Sequence, residues 1–266
     1  MIRIHPTAIV EPGAELSDDV TIGPFCHVGP KVQLAPRVEL ISHVVVAGIT
    51  RIGPGTRVFP FASVGYQPQD LKYHGEPSSL EIGANNLIRE SVSINTGTEG
   101  GGMVTRVGDR NLIMLGAHVA HDCQIGNDTV LANNASLGGH VTVDDFAIVS
   151  GNSAVQQFCR IGRHAFVGGM TGVEHDVIPY GMVLGDRARL NGLNLRGLQR
   201  RGFDVAEIRA MRQGYDFLFG GEGTFADRVE LAAERFADLK PMMEIIDFIR
   251  VDSRRRIVQP VAGHGA

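Results

Sequence analysis

The chain has 266 residues, 43% of them hydrophobic, a length that fits one large domain or one domain with an appendage. It has 34 glycines, no tryptophan, 12 phenylalanines and 4 tyrosines, so its core must rest on aliphatic side chains and tight turns, which leans away from a helical bundle. A formal charge of -4 gives no blanket attraction to nucleic acid, and no window reaches the ~18 apolar residues of a membrane span, so neither nucleic acid nor stable membrane insertion is expected.

The first segment, "MIRIHPTAIVEPGAEL", lacks a basic stretch followed by an apolar run, and a cytoplasmic location is expected. From Ile4 every sixth residue is Ile, Leu or Val: Val10, Leu16, Ile22, Val28, Leu34, Leu40, Val46, Ile52, Val58 and Val64. Two places before each knob stands a small or β-branched residue, such as Ala8, Ala14, Val20, Cys26 and Val32. No amphipathic helix has this period. One knob, one small residue and turn formers between them describe a short strand and a turn, and three such units close one coil of a parallel β-helix. The pattern lapses over 65–81, resumes at Ile82, Ile88 and Ile94, lapses again over 95–106, and returns one residue out of phase at Val107, running to Val173. Both lapses read as loops leaving the coil. Cys26, Cys123 and Cys159 all fall on the small inward column and read as buried apolar thiols, with neither disulfide nor zinc spacing.

Residues 1–190 are thus expected to form an all-β parallel β-helix, and 191–266 a helical domain. Asp204 with Glu207 makes a possible capping box before "IRAMRQGYDFLF". A second helix is predicted in "TFADRVELAAERFADL" and a third in "PMMEIIDFI", with Pro241 near its start. The tail "RRRIVQPVAGHGA", containing His264, is expected to be frayed.

Chemistry is sought first in "GAHVAHDCQIG". His118 falls on a strand and points outward; His121 falls in the following turn, at a corner of the prism. One coil up, the same corner carries His140, and one further coil brings Gln156 and Gln157, a polar column. His27, His43 and His164 lack such company and are expected at the surface or an interface. Imidazoles on neighbouring coils could converge on zinc, but a third histidine is missing from the column, so no metal is expected. General-base chemistry needs one imidazole, a partner that fixes its tautomer and an oxyanion donor. Asp122 can supply the second if the turn lets it reach back to the ring, and the Gly138, Gly139 pair can supply the third.

The hexad repeat, "QDLKYHGEPS", "AHVAHDC", "NAS" within "LANNASLGGHVTVDDFAIV", and "GLQRRGF" together resemble the UDP-N-acetylglucosamine O-acyltransferase family. The resemblance implies a left-handed β-helix and a homotrimer with sites between subunits. It implies transfer of a 3-hydroxyacyl chain from acyl carrier protein to a UDP-sugar in lipid A synthesis, with no cofactor beyond the phosphopantetheine of the donor. It also implies roles: His121 as base, Asp122 as its orienter and Gly139 N–H as oxyanion donor. Asp70, Lys72, His118, His140, Gln156 and Gln157 would contact substrate, Asn194, Arg200 and Arg201 the nucleotide, and Gly169 would end the acyl groove. Arg160 and Arg196 are candidates to meet the carrier protein. Gln156 and Asn95 stand where this family can have histidine, which leaves a 3-hydroxyl or 3-amino acceptor open. The alternatives are an acyltransferase acting on another sugar nucleotide or using coenzyme A, a metal-dependent β-helix enzyme, and a non-catalytic scaffold.

Overall fold

The structure, a computed structural model, describes residues 1–251 and 253–260. Very short strands, such as His118–Val119 and Gln124–Ile125, stack into three sheets of eleven, nine and eight strands, the walls of a left-handed parallel β-helix. The aliphatic knobs line the interior: Ile22, Leu34, Leu40, Ile52, Ile94, Ile113 and Leu137 are all at or below 1% exposed. Only the first coil departs, with Ile4 47% exposed and Val10 and Leu16 half-buried, because nothing stacks beneath it. The three cysteines are buried and unpaired, and burial pushes the Cys123 and Cys159 thiols up to about 12.

Each coil is eighteen residues, as Val45 facing Ser63 shows. Ser63 then faces Ser93, thirty residues on, and Ser93 faces His118, twenty-five on. The first excursion therefore adds two whole hexads and keeps the phase of the knobs, whereas the second adds seven residues and shifts it by one. Strands reach further into both lapses than the side-chain pattern foretells. Ser63–Tyr66, Ser79–Ile82, Ser93–Asn95 and Val104–Val107 continue the ladders, so the excursions proper are 67–78 and 96–103. Backbone pairing persists there, with Thr50, Leu80 and Thr105 in register on the inward position two before the knobs Ile52, Ile82 and Val107.

Corners carry a cost, because one residue of most turns sits in the left-handed region without being glycine: Phe25, His43 and Phe61 on one corner, Phe146, His164 and Tyr180 on another, Asp122, His140 and Phe158 on the third. Such a conformation is unfavourable for an L-residue by roughly 1–2 kcal/mol. The side chains offset it by stacking on one another along the axis, as with Phe146 on His164 at 4.7 Å and His164 on Tyr180 at 5.4 Å.

Above the coils, Gly181–Leu184 and Arg189–Leu193 pair antiparallel and lead into helices α1 (Leu195–Arg200), α2 (Val205–Gly220), α3 (Phe225–Arg235) and α4 (Lys240–Arg250). The expected box at Asp204 is not formed, since its side chain caps nothing. The capping box sits instead at Thr224 and Asp227, opening α3. Pro241 lies in the first turn of α4.

Two expectations are corrected. The tail is not frayed over its described part: Asp176 N–H donates to Arg256 O, Val258 N–H to Asp176 O, and Val258 is 6% exposed. Its remainder, with His264, lies outside the described residues. His164 is not a surface residue either; it is 5% exposed, between Phe146 and Tyr180 and edge-on to Phe203. Burial, with Arg201 and Arg163 adding to it, lowers its pKa from 6.5 to about 4. The unfolded chain takes up this proton near pH 6.5 and the folded one only near 4, so stability falls as pH drops through that window. His164→Phe is expected to flatten that part of the pH dependence of the melting temperature, measured by circular dichroism between pH 7 and 4; an unchanged slope would count against neutral burial of this ring.

Candidate active site

The corner after His118–Val119 turns through Ala120, His121 and Asp122 into Gln124–Ile125. On a regular strand the side chains of His121 and Asp122 would point apart. Asp122 has φ 60°, and that left-handed residue folds its carboxylate back so that His121 Nδ1 lies 2.8 Å from Asp122 Oδ2. Both residues are buried, at 5% and 3% exposure.

The second excursion supplies the other walls. Thr98 N–H donates to Asp122 Oδ1 at 2.8 Å, and Thr98 Oγ1 donates to Oδ2 at 2.5 Å. Asp122 N–H in turn donates to Thr105 Oγ1. Gly101 lies flat against the carboxylate, where any Cβ would fall 1.9 Å from Asp122 Cγ. Burial raises the pKa of Asp122, but the bonds from His121 and Thr98 outweigh it and hold the group below its ordinary value. The anion accepts the Nδ1 proton of His121, which leaves Nε2 with a free lone pair.

Gly139, one coil up, is the floor of the ring: a Cβ there would sit 2.4 Å from His121 Cε1 and 2.5 Å from Nε2. Among the described residues its N–H has no partner, like those of His121 and Gln157 at the same place in adjacent coils. His140 stands edge-on to His121 at 5.0 Å, its Nδ1 3.8 Å from Asp122 Oδ2. Burial lowers its pKa, with Asp122 opposing, and burial with His121 also lowers that of His118, whose Nδ1 lies 2.7 Å from Ser93 Oγ. From the first excursion Asp70 brings Oδ2 to 3.9 Å from His121 Nε2, beyond a hydrogen bond. Lys72, two residues on, is exposed, and its N–H donates to Asp70 Oδ1.

His121, Asp122 and His140 offer ligand atoms within 4.8 Å of one another, a spacing a cation could use. That donor set is already engaged, because Asp122 accepts from Thr98 twice and from His121, whose Nδ1 face is thereby occupied. The arrangement suits proton transfer at Nε2 better than metal coordination.

Other expected residues lie apart. The left-handed place above His140 belongs to Phe158, stacked on its ring at 4.3 Å, and Gln156 and Gln157, which precede it in the turn, are exposed. The polar column therefore ends in an aromatic ring, because the corner repeats every eighteen residues and Phe158, not a glutamine, keeps that register with His140. Asn194, Arg200 and Arg201 sit at the His164 corner. Asn194 caps α1 through Gly197 N–H and donates to His164 O; Arg201 donates to Phe146 O and lies 4.7 Å over that ring; Arg200 is exposed. Gly169 turns between Phe166–Val167 and Gly172–Val173, again a different corner from His121. Its φ is not left-handed, and a Cβ there would meet only Gly151 O, at 3.4 Å, so the backbone does not demand glycine. Gly168 differs, with Leu184 Cδ2 2.4 Å from a Cβ. Arg160 is spent on Asp176 and on Phe248 O, hence not free to meet a partner, whereas Arg196 is exposed. Asn95 holds the start of the first excursion through Tyr66 O and Gln67 O. Thr98, Thr105, Gly101 and Phe158 escape sequence reading; the only signal is the run of small residues in "NTGTEGGG".

Residues 176–258 match the family model described as UDP N-acetylglucosamine O-acyltransferase, domain 2, and residues 105–139 the bacterial transferase hexapeptide model. The chain is 49% identical over 261 residues to the acyl-(acyl-carrier-protein)–UDP-N-acetylglucosamine O-acyltransferase of Rhizobium johnstonii, covering 98% of this chain and 96% of that protein. It is 50% identical over 263 residues to its counterpart in Rhizobium rhizogenes, covering 99% and 97%. The crystal structure of the Francisella novicida UDP-N-acetylglucosamine acyltransferase superposes with a TM-score of 0.94 at 38% identity, covering 98% of this chain and 95% of that one.

The tautomer of His121 can be observed directly. Nitrogen-15 spectra of the imidazoles are expected to show His121 protonated at Nδ1 and bare at Nε2 near neutral pH, and Asp122→Asn is expected to abolish that preference. A wild-type ring protonated at Nε2 would overturn the arrangement.

Proposed function

Since the chain belongs to the acyl-(acyl-carrier-protein)–UDP-N-acetylglucosamine O-acyltransferase family and so transfers an acyl chain from acyl carrier protein to UDP-N-acetylglucosamine in lipid A biosynthesis, we propose that His121 is its general base. The observation carrying this reading is the 2.8 Å bond from His121 Nδ1 to a buried, fully hydrogen-bonded Asp122. His121 Nε2 takes the proton of the sugar 3-hydroxyl, or of a 3-amino group, as that atom attacks the thioester carbonyl of a 3-hydroxyacyl chain. The C–O or C–N bond forms, and the carbonyl oxygen becomes an anion facing Gly139 N–H, the donor with no other partner. Collapse breaks the C–S bond, and the leaving thiolate of phosphopantetheine recovers the proton from His121. Asp122 holds the tautomer at the start and offsets the imidazolium charge in between. Asp70, Lys72, His118, His140, Gln156 and Gln157 line the substrate path. No metal or further cofactor takes part, and we place the enzyme in the cytoplasm. No helix among the described residues is long and apolar enough to cross a membrane.

A homotrimer completes the site. Asn194, Arg200 and Arg201 occupy one corner of the prism and His121 another, and a second subunit beside the first would bring such corners face to face. The tip of the first excursion, with Leu71 fully exposed, supports such a neighbour. Arg201 then meets the diphosphate, and Arg196 the acidic carrier protein.

His121→Ala is expected to cut turnover at least about a hundredfold with the fold intact, and exhaustive chelation to leave the wild type active; an active His121→Ala enzyme would sink the assignment. Arg201→Ala should raise the Michaelis constant for the sugar nucleotide about tenfold with turnover nearly kept, since a diphosphate contact is similar in ground and transition states. Turnover lost at an unchanged constant would argue against a nucleotide contact.

Gly169 bears on chain length. With coils ~4.8 Å apart it lies roughly 13 Å above His121 along the axis, the reach of about ten extended carbons. A glycine that the backbone does not require leaves this end of an inter-subunit groove open, which favours a chain of about fourteen carbons over one of about ten. In competition between 3-hydroxyacyl carrier proteins of those two lengths, the wild type is expected to take the longer and Gly169→Met the shorter. Equal losses on both donors would remove the ruler role.

A further inference from the structure

The His121 corner does not end at His140. His140 stacks on Phe158 at 4.3 Å with the rings nearly parallel, and the guanidinium of Arg254 lies 4.4 Å over the centre of the Phe158 ring. Arg254 comes from the C-terminal segment, 132 residues beyond Asp122, and its neighbours on both sides are pinned. Ser253 Oγ donates to Asp176 Oδ2 at 2.7 Å. Arg255 Nε donates to Gln157 O at 3.0 Å, within the turn next to His140, and Arg256 O accepts from Asp176 N–H. Asp176 has no solvent exposure and also accepts from Arg160 N–H and Nε, so the segment is tied to a buried, hydrogen-bonded carboxylate of the coil.

An exposed cation is thus held beside the reacting corner with no carboxylate within ion-pair distance among the described residues. Arg57, Arg106, Arg110 and Arg250 each hold a carboxylate; exposed arginines such as Arg51 and Arg200 hold none among the described residues either, but Arg254 is the one laid over the ring that stacks on His140. A guanidinium resting face-on against a ring spends only its π face and keeps its in-plane N–H donors, which match the oxygens of a phosphate. Anchors on either side remove most of the entropy that an exposed side chain loses on binding. Both substrates of the reaction carry phosphate: the carrier protein delivers the acyl chain on a phosphodiester-linked arm, and the acceptor is a nucleoside diphosphate sugar.

We propose that Arg254, presented on Phe158 by the Asp176-anchored C-terminal segment, is a phosphate-binding residue of the active corner. This rests on His121 being the reacting base. Loss of one charge-assisted contact corresponds to about a tenfold rise in the Michaelis constant of the substrate that carries the phosphate.

The experiment is steady-state kinetics of Arg254→Ala, Arg254→Lys and Arg256→Ala, with acyl carrier protein thioester and UDP-sugar varied in turn and folding checked by circular dichroism. Arg254→Ala should raise one Michaelis constant with turnover nearly kept, and Arg254→Lys should restore part of the loss. Arg256, exposed on the same segment, should change neither constant. A rise confined to the carrier-protein thioester identifies the phosphodiester of the arm; a rise confined to the sugar nucleotide identifies its diphosphate. Unchanged constants, an equal rise in Arg256→Ala, or a fall in turnover alone would each overturn the proposal. His121→Ala, run alongside, separates this failure from failure of the underlying reading: if it remains active, the corner itself is misassigned.

Discussion

Every coil donates its backbone N–H groups to the coil beside it along the axis, and everything else in this protein follows from that eighteen-residue register. Ala120 N–H to Leu137 O, Gln124 N–H to Val141 O and His140 N–H to His121 O are three links between the same two coils. Because side chains at equivalent positions stack directly above one another, each corner becomes a column whose chemistry is set by a residue every eighteen places. Asp122, His140 and Phe158 are one such column; Phe146, His164 and Tyr180 are another. A histidine's character here is decided by its column.

Three of the buried or half-buried histidines illustrate this. His121 is paired to an ionised carboxylate that also accepts two hydrogen bonds from Thr98, while the backbone N–H of Asp122 is anchored on Thr105. His140 stands beside the same carboxylate but leans on a phenylalanine, and burial lowers its pKa against the pull of Asp122. His164, with aromatic neighbours on three sides and arginines nearby, is pushed to about 4 and is excluded from proton transfer near neutrality. One residue type therefore serves as carboxylate-paired imidazole, neighbour and packing element on a single scaffold.

Two excursions convert a repetitive scaffold into a site. The first brings Asp70 to the open side of His121, and the second brings Thr98 and Gly101 over Asp122. Without the second, the carboxylate would face water and its bond to the ring would lose the low-dielectric setting that makes it strong. The C-terminal segment acts from the other end, crossing Asp176 to reach the turn beside His140. Loops and tail thus meet at the one corner where His121 and Asp122 adjoin.

The six-residue period by itself determined the β-helix, its inward columns, the buried cysteines and the change from coils to helices, because a repeat that must bury one knob per strand leaves few alternatives. It also placed His121 at a corner, with Asp122 next to it as a partner and the Gly138, Gly139 pair one coil up, whereas the choice of Gly139 from that pair came only from the family resemblance. Tertiary structure alone decided that the two side chains meet, since that depends on a left-handed residue at Asp122 that no side-chain pattern announces. It likewise decided that Phe158 crowns His140, that His164 is buried, and that Arg160 is consumed by Asp176. Asn194, Arg201 and Gly169 do not share a corner with His121, because a turn of one hexad moves the chain to the next face of the prism. Contacts between residues far apart in the chain, such as Thr98 with Asp122 or Arg254 with Phe158, leave no periodic trace, for a loop or a tail makes its contact only once.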